Sequence, residues 1–336
     1  MASGQRGICK VRFNVAGQLR VPFGYVAGVA ADPVEKKPFF HVLPGADALT
    51  FGMLGCDFHC GYCQNWVTSQ ALRDEAAHAP LREVTPAQLV RAAQRAGARL
   101  MVSSYNEPLI TSEWAAAVFR EAVPAGLLCA FVSNGNATVE ALDFLKPWLR
   151  AFKIDLKSFS DRCYHSLGGT LDNVCRGIAT VHERGIWLEV VTLLITGFND
   201  DEAELRAMAQ FLAGLSRDIP WHITAFHPDY KMLHVPQTTP CQLVRAAEIG
   251  VAAGLRFVYA GNAPGLVGEW ENTRCPHCRT TLVERRGYAV IRNRITRAGN
   301  CPACGTAIPG IWHDAGAGAV PCGMASNRTP KRVVLD

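Results

Sequence analysis

Between residues 49 and 259, short apolar runs alternate with longer helical stretches, and this alternation limits what the chain can fold into. The apolar runs fall at 49–54, 100–104, 127–133, 152–156, 187–194, 222–226 and 257–259. The stretches between them, at 85–96, 111–123, 138–146, 171–184, 201–215 and 240–253, read as helices. Thr85-Pro86 supplies an N-cap followed by proline at the first helical position, and Asn199-Asp200-Asp201 reads as a second helix start. Repeated strand–helix units predict a parallel sheet with right-handed crossovers. The expected fold is α/β: a partial (β/α)6 barrel over 49–262, with active residues on the loops at the C-terminal strand ends. With 336 residues and 49% hydrophobic content, the chain can bury such a core and still carry a small module.

The loop after the first run reads Leu54-Gly-Cys-Asp-Phe-His-Cys-Gly-Tyr-Cys-Gln-Asn-Trp66. It places Cys56, Cys60 and Cys63 at CxxxCxxC spacing. A structural zinc site closes with four ligands. Three thiolates on one tight loop suit a cubane cluster better, holding three irons and leaving the fourth open. A cluster of reduced thiols, or three ligands of a zinc site, is the competing reading. The spacing, with Tyr62 before the third cysteine and Gln64-Asn65 after it, resembles the signature of the radical S-adenosylmethionine (SAM) superfamily. The resemblance implies a [4Fe–4S] cluster whose open iron chelates SAM, an electron delivered by a low-potential donor such as flavodoxin or ferredoxin, and a 5′-deoxyadenosyl radical.

Further residues fit that frame. Tyr105-Asn106-Glu107-Pro108 follows the second run and resembles the Gly-Glu-Pro segment of the activating-enzyme branch, so Asn106 and Glu107 are candidate SAM contacts, Glu107 accepting from the SAM ammonium. Ser133-Asn134-Gly135 follows the third run and is a weaker candidate of the same kind, because Asn-Gly is also a common turn. In Asp155-Leu156-Lys157, alternation puts the acid and the base on one strand face. Lys157 would pair with the SAM carboxylate, and Asp155 with Lys157 or the ribose; a structural salt bridge is the plain alternative. Tyr62, Thr192 and His227 complete the expected SAM contacts.

Beyond Gly261 the alternation stops. Residues 262–268 read as a turn-rich linker. Cys275-Pro-His-Cys278 and Cys301-Pro-Ala-Cys304 form two CxxC knuckles, the pattern of a four-thiolate metal ribbon over 269–312. Zinc is the first expectation for its metal and iron the second. Residues 313–336 are expected to be a disordered tail, with Cys322 incidental. Six arginines, Arg279, Arg285, Arg286, Arg292, Arg294 and Arg297, crowd the ribbon, and a nucleic-acid-binding ribbon is the rival from another functional class. The mild net charge of +5 and the lack of an aromatic platform argue against it. The thirteen cysteines at metal-like spacings, the absence of an apolar leader and the lack of any long apolar run lead to the expectation of a cytoplasmic protein outside the membrane.

With its flanks included, the chain resembles the AmmeMemoRadiSam system radical SAM enzyme family, within the pyruvate formate-lyase-activating-enzyme-like branch. The matching segments are Arg6-Gly-Ile-Cys9 with Val11-Arg-Phe-Asn14, then Asp32-Pro-Val-Glu-Lys-Lys-Pro38, His41-Val-Leu-Pro-Gly45 and the ribbon cysteines. Lys10 and Phe13 depart from the pattern, which expects Gly and Glu. The resemblance implies a protein partner, Memo-like or AMMECR1-like. The expected chemistry is glycyl-radical activation or another modification of a protein, with a small-molecule substrate as the alternative.

Overall fold

The computed structural model describes residues 1–312, Lys331 and residues 333–335. One eight-stranded sheet dominates it. Its strands are β1 (Gly28–Pro33), β2 (Asp47–Gly52), β3 (Leu100–Ser103), β4 (Leu128–Ser133), β5 (Leu149–Asp155), β6 (Trp187–Leu194), β7 (Trp221–Ala225) and β8 (Val258–Gly261). They lie side by side in chain order, with β2 to β8 parallel and β1 antiparallel against β2. Each apolar run of the sequence is one of the seven parallel strands. The crossovers carry α1 (Pro86–Ala96), α2 (Ser112–Ala122), α3 (Val139–Leu145), α4 (Asp161–Leu167), α5 (Leu171–Glu183), α6 (Glu202–Leu215) and α7 (Pro240–Ala252). These make six strand–helix units and a closing strand, the partial barrel the alternation predicts. Besides a single helical turn at Trp66–Ser69, α4 was not foreseen. It is two turns long, below the length at which a helical period shows.

Local chemistry explains the helix boundaries. Thr85 and Gln88 form a reciprocal capping box on α1, Pro86 stands at its first position, and Gly97 ends it at φ 68°. The Asp201 carboxylate accepts from the backbone N–H groups of Ala203 and Glu204, so α6 starts where the acidic run predicts.

The two faces of the sheet differ. Leu49, Phe51, Met101, Phe131, Phe152, Ile154, Val190 and Ile223 pack against the helices. On the other face, Ala48, Leu100, Val102, Leu128, Ala130 and Ala151 meet Val34, Phe39, Val42 and Leu43. Residues 28–43, expected from the sequence to belong to an N-terminal extension over 1–48, are instead part of the barrel: β1 extends the sheet, and 34–43 plug the barrel at the N-terminal ends of the parallel strands. The ribbon strands β9 (Thr273–Arg274), β10 (Thr281–Arg286) and β11 (Ala289–Asn293) form an antiparallel sheet. The ribbon buries Leu282, Val283, Val290, Ile308 and Trp312 against Phe40, Phe257 and Tyr259. It closes the same end of the barrel as the plug.

Most of the expected tail, 313–330 with Cys322, lies outside the described residues. Its end departs from the expectation of disorder. Lys331 N donates to Ala31 O at 3.0 Å, and Lys331 Nζ to an Asp47 carboxylate oxygen at 2.6 Å. Val333 and Leu335 pack on the main core.

Candidate active site

The cysteine loop leaves the C-terminal end of β2, where the backbones after β2 and β3 almost touch. A Cβ on Gly52 would lie 2.2 Å from Ser104 O, so only glycine fits there. The loop is then held by its neighbours. Arg73 Nη1 donates to Cys56 O at 2.7 Å and to Phe58 O at 3.2 Å, Gln70 Nε2 donates to Phe58 O, and His59 N donates to Leu167 O at the end of α4. Cys63 N donates to Cys60 O at 3.2 Å, which tightens the second half of the loop.

Burial raises the pKa of all three thiols, that of Cys60 to about 11 even with Lys157 opposing. They are poor thiolates until a metal replaces the proton. Among the described residues, the cysteines whose sulfurs gather within 4.8 Å of one another are those of the ribbon; Cys56, Cys60 and Cys63 form no such set. A single ion would need them that close. Three ligands on three different irons would not, so the loop fits a polynuclear cluster.

Glu107 organises the next strand ends. It is 2% exposed, and its carboxylate accepts from Ser133 Oγ and Leu109 N through one oxygen and from Asn134 N through the other, at 2.7, 3.0 and 2.7 Å. Burial, with Asp57 second, pushes its pKa up to about 8, against donors that favour the ionised form. Asn134 Nδ2 and Asn136 Nδ2 each donate to a different Asp57 oxygen at 2.7 Å. The sequence reading missed Asp57 and Asn136. Asp57 lies between two cysteines, and only the fold brings it against the loop after β4. Ser133 and Asn134, read from the sequence as candidate SAM contacts, instead join Glu107 to the cysteine loop. Asn106 has a different part: its Oδ1 accepts from Met53 N and its Nδ2 donates to Glu107 O, so both ends of its amide are spent on backbone. It positions the loop rather than presenting a free group.

Asp155 and Lys157 share a face, and Lys157 Nζ lies 3.1 Å from Asp155 Oδ2. Lys153, on the same face by alternation, pairs with Asp155 Oδ1 and was not foreseen. Burial would raise the Asp155 pKa, but the two lysines hold it at about 2. Burial likewise opposes the Lys157 charge, and Asp155 and Cys60 outweigh it. Tyr62 is buried with its ring against Phe198, centroids 5.6 Å apart, and anchors the loop. His227 comes to the cysteine loop, its Nε2 2.9 Å from Gln64 Nε2.

Thr192 requires a correction. Its hydroxyl donates to Leu156 O at 2.9 Å and accepts from Trp221 Nε1 at 3.0 Å, and Met208 of α6 lies 3.8 Å away. It faces the helices, not the barrel interior. Strand alternation assigns the interior face of β6 to its neighbours Val191 and Leu193 instead.

At the other end of the molecule, Cys275–Cys304 and Cys278–Cys301 sulfurs are each 3.6 Å apart. Four thiolates at about 2.3 Å from a tetrahedral ion stand about 3.8 Å from one another, so the set fits one ion with no open position. Arg285 leaves the basic surface on which the nucleic-acid reading relied. It is buried, donates to Thr273 Oγ1 at 2.8 Å and to Phe40 O at 2.7 Å, and stacks on the Phe40 ring.

Residues 51–212 match the radical SAM superfamily. The chain is 36% identical over 308 residues to the uncharacterized protein MJ0808 of Methanocaldococcus jannaschii, covering 91% of this chain and 90% of that one. It belongs to the radical SAM superfamily and, within it, to the family of that archaeal protein. Among solved structures, Streptococcus suis SuiB bound to precursor peptide SuiA shares the fold, with a TM-score of 0.52 and 11% identity over 69% of this chain and 52% of that one. A domain of pyruvate-formate lyase-activating enzyme from Bacteroides vulgatus matches with a TM-score of 0.44 and 21% identity, over 48% of this chain and 98% of that one. Membership implies a [4Fe–4S] cluster and SAM. No helix among the described residues is long and apolar enough to cross a membrane.

Proposed function

We propose that this protein is an activating-enzyme-like member of the AmmeMemoRadiSam system family, acting on a protein. Bound together, the [4Fe–4S] cluster and SAM would supply a 5′-deoxyadenosyl radical for hydrogen abstraction, given an electron from a donor such as flavodoxin or ferredoxin. The observation that carries the reading is the three-thiol loop at the strand ends, beside Glu107, Asp155 and Lys157. Cys56, Cys60 and Cys63 would hold three irons. Lys157, charged and next to Cys60, would take the SAM carboxylate. Glu107, already aligned by Ser133 and Asn134, would accept from the SAM ammonium, which would favour its ionised form. Buried Phe58 and Tyr62, with half-buried Phe198 packed on Tyr62, would keep water from the reacting atoms.

The partner in this reading is Memo-like or AMMECR1-like, on the strength of the flanking segments, and the compartment is the reducing cytoplasm. The ribbon holds zinc and is structural, because its four thiolates close the site. Arg285's burial weakens the nucleic-acid alternative. The test is anaerobic. Reconstituted, dithionite-reduced protein should convert SAM to 5′-deoxyadenosine and methionine, detected by chromatography. Co-purifying proteins should carry a mass change that depends on SAM. No deoxyadenosine despite a full, reducible cluster would overturn the reading.

A further inference from the structure

The segment Asp32–Pro38 takes no part in the proposed chemistry, yet the fold sends it into the barrel. Asp32 is 2% exposed and carries two lysines: Lys37 at 3.0 Å, itself buried, and Lys36 at 3.2 Å, half-exposed. Lys37 Nζ also lies 5.0 Å from the centre of the Tyr105 ring. On the other side of the interior, Asp155 carries two more, Lys153 and Lys157. Each aspartate is thus shared by two ammonium groups. The layer holds four cations against two anions.

Neighbouring groups do not neutralise the excess by contact. Glu189 stands opposite Lys153 in the β5–β6 register, but its carboxylate accepts from Phe40 N, His41 N, Trp187 Nε1 and His222 Nε2 at 2.9, 2.9, 3.0 and 2.7 Å. Its lone pairs are spent. Lys37 and Lys153 each meet one carboxylate oxygen, although an ammonium has three N–H donors. Burial depresses the Lys37 pKa against the pull of Asp32, and Lys36 and Lys153 add to the depression, so the two buried amines feel each other. Thr50, fully buried on the same face of the sheet, has a hydroxyl with no hydrogen-bond partner within 3.5 Å, and the Tyr105 hydroxyl is the group that interacts with it. A buried polar group without a partner destabilises the fold, and unpaired buried charge does so more strongly. Ammonium groups with donors to spare beyond their one carboxylate contact, on the inner surface of the barrel, describe a receptor for an anion.

We propose that Lys37, Lys153 and Thr50 form a subsite inside the barrel that binds a carboxylate of the substrate, next to the Asp155–Lys157 pair. A carboxylate fits better than a phosphate. The surrounding backbone N–H groups are committed to the sheet, and the layer has neither a glycine nest nor a helix N-terminus, the usual phosphate donors. Lys36, exposed just beyond the end of the edge strand β1, marks the side from which the anion enters. The proposal deepens the functional reading above and rests on it for the identity of the neighbouring SAM site: the substrate is a carboxylate-bearing molecule or an acidic side chain or C-terminus of a peptide.

Calorimetric titration of the anaerobic holoprotein with sodium succinate, inorganic phosphate and, at matched ionic strength, chloride tests this. Succinate should bind more tightly than phosphate or chloride. Lys37→Met and Lys153→Met should each weaken succinate by about tenfold or more, the effect of losing one charge-assisted bond. Thr50→Val guards against misfolding as an explanation. It removes a hydroxyl with no hydrogen-bond partner within 3.5 Å, so it should leave the melting temperature nearly unchanged and still weaken succinate. For the lysine, the pair Asp32→Asn/Lys37→Met removes the ion pair as a unit and should also lose binding. Succinate binding that is equal in all four variants, or absent from the wild type, overturns the subsite; tighter binding of phosphate overturns the carboxylate assignment. Deoxyadenosine formation by the same wild-type sample separates the two claims. Formation without succinate binding breaks the subsite alone, and succinate binding without formation breaks the functional reading alone.

Discussion

The two cysteine sets lie at opposite ends of one barrel, and they differ in what surrounds them as much as in ligand count. Cys275, Cys278, Cys301 and Cys304 bring their sulfurs within 4.8 Å of one another, two pairs at 3.6 Å, in a ribbon whose side chains are buried against the barrel floor. The loop carrying Cys56, Cys60 and Cys63 spreads its sulfurs and is gripped by its backbone, through Arg73, Gln70 and Leu167. Beside it stand ionisable groups, Glu107, Asp155 and Lys157. The ribbon is arranged like a staple and the loop like a reaction site. A closed metal site satisfies itself. An open one needs neighbours that bind whatever fills the vacancy.

The comparison breaks most readily at the loop. Cys56→Ala, Cys60→Ala or Cys63→Ala should each abolish the broad visible absorbance of the cluster and lower deoxyadenosine formation by about a thousandfold or more, since the chemistry passes through one cofactor. Metal analysis of the same variants should still find one ribbon ion per chain. Loss of both metals together would show that the two ends are not independent.

Cys275→Ser or Cys301→Ser should act through stability. The linker at 262–268 suggests a separable module, but the ribbon covers Phe40, Phe257 and Tyr259, so losing its metal should uncover the barrel floor. A fall in melting temperature of about 10 °C or more is expected, the size of a structural metal's loss in a domain this large. An unchanged melting curve after complete metal loss would detach the ribbon from the barrel. A second EPR signal lost with Cys275 would make it an electron-transfer site.

Arg285→Met should cost somewhat less, about 3–5 kcal/mol, because it strands the buried partners Thr273 and Phe40 O and leaves Glu35 without its guanidinium neighbour. Arg286→Met, on the exposed face of the same strand, should cost almost nothing. Denaturant melts of the pair measure the contrast; equal effects would refute Arg285 as the clasp between ribbon and barrel.

The smallest effect expected is on pH dependence. The Glu107 pKa is raised from its ordinary 4.5 to about 8. The folded state therefore holds a proton that the unfolded state has released, and Glu107's contribution to stability is full below pH 4.5 and is lost as pH rises to about 8. Glu107→Gln should flatten that slope in the cluster-free protein, measured by denaturant midpoint against pH. A slope unchanged by the substitution would assign the ionised form to Glu107 throughout.

Much of this was legible in the residues themselves. Apolar runs bounded by turns became the seven parallel strands, because a strand buried on both faces must be apolar along its length. The Thr85 and Asp201 helix starts lie in local hydrogen bonds that sequence neighbours can make alone. The cysteine spacings needed no fold to be read, since each loop or knuckle is short and its ligands are close in sequence. Asp155 and Lys157 were paired correctly because they are two residues apart at the end of one strand.

Contacts between distant residues were decided only by the tertiary structure. Thr192 was misplaced because a period-two pattern does not say which face is the interior. Asp57 and Asn136 meet across 79 residues of chain, and Arg285 reaches Phe40 O across 245. Nothing in the ribbon's run of arginines distinguishes the one that turns inward. The same holds for Lys37 and Lys153, which come from different strands' surroundings and share one interior. Local sequence determines local geometry and ligand type. Which face is inside, and which charges are left there without a partner, depends on how the sheet curls and on the plug that closes it.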